Sequence, residues 1–80
     1  MAAFVPTLFL RKLFRHPDGR EILVREDTLG RFWLVDLRAV NSWQMRRFTL
    51  GTEAQAADTV LTLIGDEPDW RDDSPHAPQD

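Results

Sequence analysis

Arg31-Phe32-Trp33-Leu34-Val35-Asp36-Leu37 is the stretch whose reading decides the fold of this chain. Aromatic and β-branched side chains dominate it, and these pack well on a pleated surface but crowd the preceding turn of a helix. The stretch therefore predicts a central β-strand. Successive side chains in a strand point to opposite faces, so Trp33, Val35 and Leu37 share one face while Phe32 and Leu34 share the other. Both faces of the strand are apolar, and a single covering layer can satisfy only one of them.

Reading upstream, Glu26 to Gly30 forms a turn, and Glu21-Ile22-Leu23-Val24-Arg25 before it is a second, shorter strand. His16-Pro17-Asp18-Gly19 precedes that strand: proline pre-sets φ, aspartate bonds to nearby backbone, and glycine accepts the positive φ of a bulged hairpin. The segment from Thr7 to His16 has no clean period of its own, but the turn that follows it favours a strand paired with Glu21–Arg25. Downstream, Asn41-Ser42 marks a connection, and the partial alternation of Trp43 to Leu50 reads as a fourth strand.

Thr52-Glu53-Ala54-Gln55 then matches a capping box, in which the threonine hydroxyl accepts a backbone N–H and the glutamine side chain reaches back. Ala54, Ala57, Val60, Leu61 and Ile64 recur at three- and four-residue steps, and Gly65 is placed to end the helix. From Asp66 to Asp80 the chain is acidic, with three prolines and Trp70 as its only aromatic residue, too little apolar material for a core. The expected class is α+β: an antiparallel three- to four-stranded sheet packed by one C-terminal helix forms a single domain over 1–65, and an irregular acidic tail occupies 66–80.

With 80 residues, 42% of them hydrophobic and 29% charged, there is room for one core and no second domain. The absence of cysteine rules out a disulfide framework or a thiolate metal centre and points to a cytoplasmic setting. The apolar run from Met1 to Leu10 is broken by Arg11 and Lys12 well short of the roughly 20 residues that span a bilayer, so no membrane partner is expected. Charge is segregated: residues 1–50 carry nine Arg or Lys against five acids, and residues 51–80 carry one against eight. The two parts should attract each other, which discounts simple electrostatic binding of DNA.

Catalytic and metal chemistry find little support. His16 falls in a turn and His76 in the tail, without a ligand set for a metal. Ser42 and Ser74 lie in a loop and a tail with no nucleophile-elbow pattern, the tail carboxylates sit on a segment too irregular to fix their separation, and Gly19, Gly30 and Gly51 form no phosphate loop. No enzyme activity and no cofactor are expected.

What remains is surplus apolar surface. The first strand divides Leu8, Leu10 and Phe14 from Phe9 and Leu13, and the fourth divides Trp43 and Met45 from Phe48 and Leu50. Phe4, Val5 and Trp70 folding over the second face would hide the surplus, as would a sheet-to-sheet homodimer or a different protein partner. The expected function is a small non-enzymatic protein-binding module, an inhibitor or adaptor of the type phages and plasmids encode, acting through its sheet face or acidic tail. Its partner-binding residues would be Phe32, Leu34, Trp43, Arg46, Arg47, Asp69, Trp70 and Asp72. The alternative is a nucleic-acid-binding sheet face that uses Arg31, Trp33, Trp43, Arg46 and Arg47 to stack on bases and hold phosphates.

Overall fold

The computed structural model describes residues 7–40 and 44–75. Along the chain lie β1 (Leu8–Arg15), β2 (Glu21–Asp27), β3 (Trp33–Arg38), β4 (Met45–Leu50), α1 (Glu53–Ile64) and the two-residue β5 (Arg71–Asp72). The strands form one antiparallel sheet in the order β4-β3-β2-β1-β5, with α1 packed on one face. This is the α+β arrangement expected, with a fifth strand contributed by the tail.

The turns form where the sequence marks them. Gly19 takes φ +102° and donates its N–H to the His16 carbonyl at 2.9 Å, and Gly30 takes φ +72° and donates to the Asp27 carbonyl at 2.8 Å. Both positions favour glycine because a Cβ is disfavoured at such φ values. Register then sets the core. Ile22 pairs with Leu37 and Val24 with Val35, so these four side chains and Trp33 share the face under the helix. Ile22, Val24, Trp33, Val35, Ala56 and Val60 form the buried cluster, bordered by Phe14, Phe48 and Leu63 among others.

A bulge at Arg11 changes the expected division of β1. Leu8, Leu10 and Leu13 now oppose Asp27, Arg25 and Leu23, while Phe9, Lys12 and Phe14 oppose Glu26, Val24 and Ile22. One extra residue flips the side-chain parity beyond it, so the leucines gather on the far face and Phe14 joins the core.

The far face is not simply apolar. Leu34 is buried there, yet next to it Asp36, with no solvent exposure, sits between two arginines. Its carboxylate accepts from Arg25 Nη2 at 2.7 Å and from Arg47 Nε and Nη2 at 2.8 and 3.0 Å. In the β2–β3 hairpin Asp27, 1% exposed, accepts from Arg31 Nε at 2.7 Å and from the Arg31 backbone N–H at 3.1 Å. The Arg31 guanidinium holds the Asp27 carboxyl below its ordinary value.

The helix begins as its capping box predicts: Thr52 Oγ1 accepts from the Gln55 N–H at 3.2 Å, although Gln55 Oε1 reaches past Thr52 to the Gly51 N–H at 3.0 Å. Its buried face differs from the expected stripe. Ala56 and Val60 are buried, whereas Ala54, Ala57 and Leu61 are exposed. The tail also departs from a wholly irregular course. Phe14 pairs with Asp72 and Arg15 with Arg71, and Trp70 packs against the core cluster on the helix side rather than over the second face. Phe4 and Val5 lie outside the described residues.

Replacing Asp36 by Ala should destabilise the domain by about 2–3 kcal/mol, because Arg25 and Arg47 lose a buried acceptor but are exposed enough to rehydrate in part. Arg47→Ala should cost less, about 1 kcal/mol, since Arg25 still pairs Asp36. Urea denaturation of the two variants checks the order. Thr52→Ala should cost about 1 kcal/mol through the lost cap, read in the same experiment.

Acid sensitivity follows from Asp27. A carboxyl whose folded pKa is depressed contributes stability that is complete above its unfolded value, near 3.8, and is lost as pH falls through the folded value. The stability difference between the native protein and Arg31→Ala should be full at neutral pH and shrink progressively below about pH 4, as followed by denaturation midpoints across pH.

Candidate binding groove

The geometry of the candidate site follows from a width. Five strands at about 4.8 Å spacing make a sheet roughly 19 Å across, whereas a helix with its side chains is about 10–12 Å wide. The connection between β4 and α1 is only Gly51-Thr52, so the helix must start beside β4 and lie along that side of the sheet. It packs chiefly over β3 and β4. The helix does not extend over the sheet toward β1.

A groove of about 550 Å³ fills that step. Phe14, Val24 and Trp33 line it from the sheet, and Ala54, Ala57 and Leu61 line it from the helix. Leu61 is 68% exposed, although it belongs to the apolar stripe of its own helix. Charge is confined to the ends and rim, where Arg11, Lys12 and Glu53 stand. Arg11 is paired with Glu26 at 2.8 Å and also lies 5.0 Å from the ring centroid of Phe9, itself 49% exposed. Lys12 is exposed and has no ion pair among the described residues. A second hollow, of about 470 Å³ on the β4 side of the helix, has Arg46, Asp58, Thr59 and Thr62 in its lining and so lacks the apolar character of the first.

The residues expected to bind a partner are scattered by the fold. Leu34 is buried and lies with Arg47 on the far face, where Asp36 holds the Arg47 guanidinium and raises its pKa. Phe32 precedes β3, with the Arg31 guanidinium 5.9 Å from its ring centroid. Arg46 is on the helix side of β4, 5.3 Å from the Phe48 ring centroid. Trp70 is occupied internally: its ring meets His16 edge to face at 5.2 Å, and the Arg20 guanidinium lies 5.1 Å from it. Asp69 adopts φ +78°, a region that aspartate tolerates better than most residues. The Asp72 carboxylate accepts from the Ser74 N–H at 2.9 Å and is held below its ordinary pKa by Ser74. Trp43 lies outside the described residues.

Among the residues of the nucleic-acid alternative, Arg31 is engaged by Asp27, Trp33 is under the helix and Arg47 is engaged by Asp36. Sequence reasoning did not single out Lys12 or the Ala57–Leu61 wall as a site. The one available signal was the helix stripe itself, which is wider than the strip of sheet it meets. No helix among the described residues is long and apolar enough to cross a membrane. No family model, no curated protein and no solved structure matches this chain.

Proposed function

We propose that this protein is a non-enzymatic binding module of the inhibitor or adaptor type, acting in the cytoplasm, which receives an apolar segment of another protein in the groove between α1 and β1. The observation that carries the reading is the exposed side chain of Leu61 beside an apolar floor that includes Trp33 and Phe14. Ordinary ligand pockets fall between about 300 and 1,000 Å³, so the volume suits a few side chains rather than a whole domain. Each Val- or Leu-sized group buried there contributes about 1.5–3 kcal/mol before the entropy of association is subtracted. Two or three such groups give weak to moderate affinity, which suits a reversible adaptor.

The nucleic-acid alternative has less to draw on, because two of its three arginines already hold buried or nearly buried carboxylates. It predicts binding to random duplex that falls steeply with salt and depends on Arg46.

Panning a random peptide library on the protein tests the proposal. Apolar peptides should be selected, and Leu61→Asp should weaken their binding about tenfold or more while lowering the melting temperature by only a few degrees, since Leu61 contributes little to the core and the cost is that of an acidic residue in the last helical turn. Peptides that bind the native protein and Leu61→Asp equally would overturn it. Sedimentation as a dimer that Leu61→Asp dissociates would instead place a second copy of this chain in the groove.

A further inference from the structure

Among the described residues, only half of the outer edge of β1 is paired. Its C-terminal part is paired: Arg15 opposes Arg71, Phe14 opposes Asp72, the Asp73 N–H donates to the Leu13 carbonyl at 2.8 Å, and the Leu13 N–H donates to Ser74 Oγ at 3.1 Å. No strand among the described residues pairs with Leu8 to Lys12 on that side. An unpaired strand edge is a template for another strand. Resting on the groove reading above, we infer that the occupant is an extended, acidic and apolar segment of a partner protein, added antiparallel to the open half of β1.

Three observations converge on this occupant. First, β5 shows that the edge accepts an antiparallel strand, and the tail runs along it toward Leu8 until Pro75, which has no N–H to donate to a ladder. Among the described residues none continues the pairing beyond it along Leu8 to Lys12. Second, the groove begins at this edge, since Arg11, Lys12 and Phe14 line it. Alternate side chains of an added strand would drop into the groove, and backbone pairing would supply affinity while the groove supplied selectivity.

Third, the edge is basic. Arg11 and Lys12 stand together on it: Lys12 has no ion pair among the described residues apart from a Coulomb attraction to Asp72, and Arg11 is held by the Phe9 ring and by an exposed contact with Glu26 that is readily exchanged. Acidic residues on the incoming strand complement that charge. Two copies of this chain pairing β1 to β1 would instead set their own cations near one another. The basic side chains guard the edge against self-association and leave it selective for an acidic strand.

The test uses the full chain and three blocked synthetic peptides: an alternating valine–glutamate decamer, the same decamer N-methylated at every residue so that neither of its edges can donate, and an acidic amphipathic helical peptide. Amide exchange and chemical shifts are read by NMR. The alternating decamer should bind, slow exchange in residues 8–12 and shift Leu61, the N-methylated form should not bind, and Lys12→Glu should weaken binding about tenfold. Equal binding by the N-methylated decamer, or no protection in residues 8–12, would overturn the strand addition. If the helical peptide then shifts Leu61, the groove reading stands with a different occupant. If no peptide shifts Leu61, the groove reading falls as well.

Discussion

A two-residue connection fixes where the helix of this protein lies. Gly51-Thr52 ties α1 to the end of β4, and Thr52 caps the helix at once, so there is no slack with which to centre it over five strands. Burial by Ala56 and Val60 against Trp33 and Val35 then holds it there. The groove over β1 and the exposed Leu61 both descend from that placement. A longer connection would permit a centred helix and erase the step.

The far face obeys a different constraint. Its apolar part, Leu10, Leu13, Leu23 and Leu34, is interrupted by Asp36 and the two arginines that converge on it. A buried carboxylate with paired partners is a poor source of net stability but penalises any register in which the partners do not meet. Cross-strand placement makes the point concrete: Asp36 opposes Arg47 directly and Leu23 on its other side, so a slip of one residue would move the carboxylate to the helix face. Arg47, which the sequence presented as a candidate ligand of a nucleic acid, is thus occupied in holding the sheet in register.

Much of the fold could be read before any coordinates. The first four strands, both glycine turns and the helix start follow from local chemistry: β-branched runs, positive-φ glycines, and a threonine hydroxyl three residues ahead of an N–H. The bulge at Arg11 had no such marker, since neither glycine nor proline announces it and its consequence, the gathering of Leu8, Leu10 and Leu13, depends on the partner strand. β5 was equally hidden, because two residues have no period and form a strand only against the edge of β1. The candidate site was legible in part. Helical spacing identified Ala54, Ala57 and Leu61 as apolar, but periodicity cannot say how much of a stripe the opposing sheet will reach. Trp70, read as an anchor for a partner, proves to be held by His16, Arg20 and the core.

The pairing of β5 with β1 has a bearing on how the chain acquires its shape. Every other neighbouring pair in the sheet is joined by a short turn or connection and can zip up locally, whereas Leu13 and Asp73 meet only after nearly the whole sequence has been traversed. Contacts between such distant positions are entropically late to form and, once formed, among the first to open. Arg20 and Glu67 make a second contact across almost the same long excursion. The final clasp therefore sits at the labile end of the folding order, beside the very edge that a partner would extend.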